Sequence, residues 1–265
     1  MELKGKKVIK IHEKMEQPSS DIINAGVYHF NKSIFEYIRK TEKSPRGEFE
    51  ITDSINMLVS KEPMEGVFLN EWRDVVYPWH LLDANEELLK KIKTKIQGTI
   101  EKNVVIKGTV ILGKGTIIHS GTYIEGPVVI GNNCKIGPNC YIRPFTTIGN
   151  SCHVGNACEV KNSIIMDHSN VPHLNYVGDS IIGQYCNLGA GTTIANLRLD
   201  KKNVPVVLNG KKIDTKRRKF GAIIGDNVQT GINATINIGS MIGNDVSIGP
   251  AGFVKGEIIP QAKIL

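Results

Sequence analysis

The chain has 265 residues, 40% hydrophobic and 22% charged, with 33 Lys and Arg against 26 Asp and Glu for a net charge of +7. That length buries a substantial core, no apolar run approaches the roughly 18 residues of a membrane helix, and Met1-Glu2-Leu3-Lys4-Gly5 opens without a signal-peptide core. A membrane or secreted protein is therefore not expected, the expectation being a cytoplasmic protein with anionic partners, and 27 Gly with few aromatics point to a fold of many tight turns.

Lys7 to Ile11 and Asn24 to Phe30 read as strands. Ser33 to Lys40 and Thr52 to Ser60 have helical spacing, the second with Thr52 or its neighbour as N-cap. Residues 66–76 read as a strand, and Pro78 to Ile96 as an amphipathic helix on Leu81, Leu82, Leu88, Leu89 and Ile92. Gly98 marks the entry to a different pattern, which divides the chain into residues 1–96 and 97–265.

Beyond that point aliphatic residues recur every six positions: Ile106, Leu112, Ile118, Ile124, Ile130, Ile136, Ile142, Ile148, Val154 and Val160, with Met166 next. Four residues after each stands a small or medium side chain, among them Val110, Thr116, Cys134, Cys140, Cys152, Cys158 and Ile164. The register slips near Met166 to Asn175, resumes at Ile182, Leu188 and Ile194, and resumes again at Ile224 after an excursion over residues 195–222. A period of six suits neither a strand's alternation nor a helix. It fits short parallel strands, three to a coil, so that residues about 18 apart stack and each coil buries its neighbour's apolar face. The cysteines keep this register and form no C-x-x-C pair, which makes them packing residues rather than metal ligands.

The excursion carries Lys201, Lys202, Lys211, Lys212, Lys216, Arg217, Arg218 and Lys219. Within it, Val204 to Leu208 and Lys211 to Ile213 flank Asn209-Gly210, a favoured type I′ hairpin turn. Such an arm either clamps a neighbouring subunit or a phosphorylated ligand, or stands as a solvated hairpin. It lacks the aromatic interleaving of a nucleic-acid-binding module.

Stacking exposes two anomalies. The residue after each aliphatic is usually Gly, as at Gly131, Gly137, Gly149 and Gly155, but it is Arg143 after Ile142 and Lys161 after Val160. One coil apart, at roughly 5 Å, two like charges repel by about 1–3 kcal/mol for effective dielectrics of 80 to 20. A phosphate between them would relieve that cost. Glu159 shares Lys161's side of the strand. The break at residues 170–179 reads as a polar insertion holding His173, the expected general base, with Glu159 to orient its ring.

The hexads resemble the hexapeptide-repeat left-handed parallel β-helix, mostly found in trimeric acyltransferases, and the resemblance supplies the handedness. His173-Leu174-Asn175-Tyr176-Val177-Gly178-Asp179, then Asn187-Leu188-Gly189-Ala190-Gly191-Thr192 and Asn196, resemble the acetyltransferase domain of the bifunctional enzymes that make UDP-N-acetylglucosamine. The resemblance implies that His173 deprotonates the sugar amine, that Glu159 orients His173, and that Arg143 and Lys161 hold the sugar phosphate. It likewise implies sugar contacts from Tyr176 and Asn187, with Asn196 at the same site. Acetyl-CoA is the implied co-substrate, Gly189-Ala190-Gly191 the turn for the oxyanion or acetyl-CoA, and a homotrimer the assembly, with no metal needed for acetyl transfer. The long hairpin is more like that of archaeal-type enzymes, whose acceptors include glucosamine 1-phosphate and galactosamine 1-phosphate. Leu197 and Ile232 stand where related bacterial enzymes carry an aromatic residue and a coenzyme A-binding Ser.

Hexapeptide carbonic anhydrases share the scaffold and bind zinc through three histidines. His168 and His173 match one spacing, but the third position falls at Asn132, and His119 and His153 are out of register. The front part resembles the last third of a sugar-1-phosphate nucleotidylyltransferase, an α/β domain. Glu13-Lys14, Asn24-Ala25-Gly26, Ser44-Pro45-Arg46-Gly47-Glu48 and Trp72-Arg73-Asp74-Val75 carry that likeness. The Gly-rich nucleotide loop does not occur before Glu13, so Glu13, Asn24 and Asp74 are expected to be relics. Mg²⁺ would matter only if that domain were completed. The alternative to an enzyme is a non-catalytic regulatory or assembly subunit of a nucleotidylyltransferase-like complex.

Overall fold

A computed structural model describes residues 1–13, 17 and 20–265, in two compact units, Met1–Arg73 and Asp74–Leu265. In the second unit, parallel sheets of nine, nine and eight strands form the three faces of a left-handed β-helix. One coil reads Thr146–Ile148, His153–Asn156 and Glu159–Lys161, which lie on faces designated A, B and C. Ile136 pairs with Val154 and Ile142 with Val160, so the hexad aliphatics stack inward, and from Leu112 to Val160 they are fully buried.

The slip in the hexads has a simpler cause than an insertion. Ile130 pairs with Ile148, eighteen positions on, whereas Ile148 pairs with Ile165 and Ile165 with Ile182, seventeen positions each. The corners after Val160 and after Val177 are each one residue short. Ser163 fills the slot expected of Ile164, Ile165 takes the inward place expected of Met166, and Ile164 and Met166 pack outside the prism. Residues 170–179 are accordingly no insertion: they supply the strands Asn170–His173 and Tyr176–Gly178, whose Val171 and Val177 are buried.

All five cysteines are buried free thiols. Each donates to a carbonyl of the next coil, as Cys140 Sγ does to Gly155 O at 2.7 Å and Cys158 Sγ to Val171 O at 3.1 Å. Burial pushes the Cys140 thiol up to about 12 and also raises those of Cys158 and Cys186, whereas the hydrogen bond with Cys152 lowers that of Cys134, which is kept from reagents by its burial alone. An alkylating reagent at neutral pH is expected to leave the folded chain unlabelled and to label all five after denaturation, read by intact mass. Fast labelling of the native protein would contradict this packing.

Face A is covered from within the chain. Helix α1 (Ile34–Lys40) and helix α2 (Ile51–Val59) belong to the first unit; helix α3 (His80–Leu89) belongs to the second. The sequence extends α3 to Ile96, but Lys95–Ile96 is the first strand of face A, paired with Ile111 and Leu112. Tertiary pairing outweighs local propensity there. Leu82, Asn85 and Leu89 face inward, while Leu81 and Leu88 are exposed. Asn85 ties the helix down, donating to Phe145 O at 2.8 Å and accepting from Thr147 Oγ1 at 2.6 Å.

The excursion forms the expected hairpin, Pro205–Leu208 paired with Lys211–Asp214. Asn209 and Gly210 both have positive φ, as a type I′ turn requires. The hairpin is not simply solvated. Val204, Val206 and Phe220 are buried with Trp79, Leu82 and Ile181, and Arg217 pairs with Asp83 of α3. Its lysines are exposed, while Val204, Val206 and Phe220 are buried in this second core and Ile213 packs against it.

In the first unit, Glu2–Lys4 and Lys7–Lys10 form an antiparallel pair, and Val8 and Ile11 pack on Ile55 of α2. α2 begins after Glu50, which makes no side-chain cap, so the expected Thr52 N-cap is not formed. Residues 24–30 and 66–76 are irregular rather than strands. A strand persists only with a paired neighbour, and near these segments the ladder is reduced to a bridge between Lys7 and Glu65 and a bond from Gly66 N–H to Lys6 O. Among the described residues, no helix is long and apolar enough to cross a membrane.

Candidate active site

Arg143 and Lys161 follow the paired residues Ile142 and Val160, one above the other on face C. Each has its own carboxylate. Arg143 Nη1 lies 2.8 Å from Glu159 Oε1, and that hydrogen bond raises the guanidinium's pKa. Lys161 Nζ lies 3.0 Å from Asp179 Oδ2. The like-charge repulsion expected from stacking is thus offset inside the chain and does not by itself call for an anion. Arg143 keeps a buried Nε without a hydrogen-bond partner among the described residues, and its guanidinium carbon lies 5.4 Å from the centre of the Tyr141 ring.

Asp179 is the centre of the cluster. Its side chain is 2% exposed and accepts from Lys161, from Asn162 Nδ2 at 2.9 Å and from Asn196 Nδ2. Asn196 also donates to Tyr176 Oη at 3.0 Å. Burial, reinforced by the Asp179 and Glu159 charges, raises the Tyr176 phenol's pKa, which keeps it a neutral hydroxyl. Gly178 stands next in the column of Arg143 and Lys161, and a Cβ there would come within 2.6 Å of both Tyr176 Oη and Asn196 Nδ2. Only glycine leaves room for that approach.

His173 ends its strand on face B and is exposed at the corner where Leu174, with φ of 51°, turns the chain into face C. Glu159 N–H donates to Asn175 O at 2.9 Å, so the Glu159 strand borders that turn, although its carboxylate is held by Arg143 rather than by the imidazole. Asn187 is exposed on face B, paired with Asn170. The fold therefore gathers Arg143, Glu159, Lys161, Tyr176 and Asn196 on face C and leaves His173 and Asn187 on face B. Of the three amides expected near an oxyanion, Gly189 N–H donates to Thr230 and Gly191 N–H to His173 O at 3.0 Å. Only the Ala190 N–H is left without a partner among the described residues.

Sequence reasoning assigned no role to Asp179 or Asn162. Asp179 was legible as the acidic residue after Gly178, but its burial depends on the short corner that pattern counting missed. Among the described residues, no group of three or more His, Cys, Asp and Glu is placed to hold a metal ion.

In the first unit, Glu13 takes a hydrogen bond from Thr52 Oγ1 at 3.2 Å and lies 3.7 Å from Arg46, so two stretches of the nucleotidylyltransferase-like motif meet. Asn24 caps its own turn, accepting from Gly26 N–H at 3.0 Å, and its amide donates to Tyr28. It lines an apolar cleft of about 870 Å³ with Tyr28, Phe68 and Trp72. Asp74 is exposed at the start of the second unit. Lys14 and Met15 lie outside the described residues.

A left-handed hexapeptide β-helix behind a nucleotidylyltransferase-like segment is the class these observations define. Residues 1–91 match the nucleotidyl transferase family and residues 124–207 the GMPPB C-terminal domain. The chain is 48% identical over 252 residues to the bifunctional protein GlmU of Methanocaldococcus jannaschii, covering 95% of this chain and 62% of that protein. It is 46% identical over 251 residues to the bifunctional sugar-1-phosphate nucleotidylyltransferase/acetyltransferase of Sulfurisphaera tokodaii, covering 94% and 63%. Over that shared length the chain is a homologue of these bifunctional proteins, and it spans less than two thirds of theirs. A solved likeness is the acetyltransferase domain of PglB from Neisseria gonorrhoeae in complex with acetyl coenzyme A, with 11% identity and a TM-score of 0.32 over 67% of this chain and 78% of that one.

Proposed function

We propose that the second unit is an N-acetyltransferase that moves acetyl from acetyl-CoA to the amine of an amino-sugar 1-phosphate, glucosamine 1-phosphate or galactosamine 1-phosphate. The observation that carries the reading is the cluster of Arg143, Lys161, Tyr176 and Asn196 on one face beside the corner that holds His173. Arg143 and Lys161 receive the phosphate, each retaining donors beyond its carboxylate. Tyr176, Asn187 and Asn196 contact the sugar. His173 takes the amine proton as nitrogen attacks the acetyl carbonyl; the C–N bond forms, the C–S bond breaks, and the proton leaves with the coenzyme A thiolate. Once phosphate engages Arg143, Glu159 is released to orient the imidazole. The Ala190 amide is the donor assigned to the oxyanion.

Because the cations and His173 stand on adjacent faces, the working site forms between the prisms of a homotrimer, in the cytoplasm. Glu13, Asn24 and Asp74 belong to the nucleotidylyltransferase-like segment and are assigned no part in this transfer. Thiol release from acetyl-CoA with glucosamine 1-phosphate, galactosamine 1-phosphate and unphosphorylated glucosamine tests the assignment. Turnover of at least one sugar phosphate, with little for free glucosamine, is expected. No turnover from a folded oligomer would sink the enzyme reading and favour a non-catalytic subunit.

A further inference from the structure

A buried carboxylate is costly unless it is fully paired, so a fold that keeps one at 2% exposure has a use for it. Asp179 is held at positive φ, with its N–H donating to Lys161 O at 2.9 Å and its own carbonyl accepting from Gly221 N–H at 2.9 Å. Lys161 and Asn162 reach its carboxylate from one coil and Asn196 from the end of another. Asn196 in turn holds Tyr176.

We infer that Asp179 is a positioning residue for acceptor binding: its carboxylate pins the Lys161 ammonium and the Asn196–Tyr176 pair, so that the phosphate meets an ordered set of donors. The inference rests on the proposed acetyl transfer. Lysine is a flexible stem with three donors, and holding one on Asp179 aims the other two. The Lys161 side chain, 17% exposed, is still open to a ligand. Asp179 itself is too deeply buried to touch substrate. Its loss therefore weakens binding of the sugar phosphate and leaves acetyl-CoA binding alone.

The test is a kinetic cycle of wild type, Asp179→Asn, Lys161→Met and the double variant, with both substrates varied. Asp179→Asn is expected to raise KM for the sugar phosphate about tenfold with kcat within about threefold, the size of a lost charge-assisted contact. KM for acetyl-CoA stays unchanged. In the Lys161→Met background the same change has clearly less than its full effect, because the share carried by Lys161 is already lost and the Asn196–Tyr176 pair alone remains to be loosened. Equal rises in both KM values, or a full tenfold effect on top of Lys161→Met, would overturn the assignment. If Asp179→Asn does not fold, the double variant decides, since it removes the uncompensated lysine as well. A folded double variant whose KM rises by clearly less than tenfold over that of Lys161→Met supports the inference, and failure of both to fold assigns Asp179 a purely structural role. A wild type without turnover fails the proposed function itself, and this outcome is distinct from an active wild type indifferent to Asp179.

Discussion

His173→Ala is expected to lower kcat for amino-sugar acetylation by roughly 10²–10⁴-fold, the usual contribution of a positioned general base. The KM for sugar phosphate stays near the wild-type value, because the phosphate contacts lie on face C and the imidazole at the corner of face B. His173 is exposed and its backbone carbonyl already serves Gly191, so the substitution removes no packing. The melting temperature therefore stays within the ordinary scatter of surface variants. A fall smaller than about threefold in steady-state thiol release would remove His173 from the mechanism.

Phe220→Ala carries the largest expected stability effect, about 3–5 kcal/mol for an aromatic removed from a closed site. Phe220 is fully buried, 6.1 Å edge-on from Trp79, and it locks the end of the excursion against α3 and face A. The damage is local to the hairpin, because the inward column of the prism is a separate core. Limited trypsin digestion reads it directly: the variant is cut quickly among Lys201, Lys202, Lys211 and Lys212 while the coils resist. Equal protection of variant and wild type would show that the hairpin is not anchored by this core.

The repeat was legible because burial writes itself into every sixth residue, from Ile106 to Val160. The short coils were not. Losing one residue at each of the corners near Ser163 and Asp179 changes no residue type, so pattern alone points Met166 inward and makes residues 170–179 an insertion. Pairing of Ile148 with Ile165 fixes the true register. The cover on face A did leave a signal. Ile111-Leu112, Val129-Ile130, Ile164-Ile165, Ile181-Ile182, Ile223-Ile224 and Met241-Ile242 put an aliphatic at the outward position of six strands on that face, against Ile117 on face B and Val105 on face C. Adjacent residues of a strand point to opposite sides, so such doublets announce a second layer, here α3 and the hairpin. In the first unit, residues 24–30 have strand-like composition but no ladder, and composition cannot supply a partner.

At the candidate site, stacking placed Arg143 over Lys161 from the sequence, and the paired strands agree. What stacking could not reveal were the counter-charges. The sequence pairs Glu159 with His173, whereas its carboxylate is held by Arg143, and nothing in the hexad pattern marks Asp179 as the partner of Lys161. Side-chain pairing depends on rotamers that a register does not specify.

The most direct measurement is the position of the label after reaction of acetyl-CoA, ¹³C-labelled at the acetyl carbonyl, with glucosamine 1-phosphate or galactosamine 1-phosphate. The account predicts that wild-type protein places the carbon in an amide on the sugar nitrogen, with one thiol released per acetyl moved, and that His173→Ala does not. Label remaining on coenzyme A, appearing as free acetate or residing in an ester on sugar oxygen would contradict it.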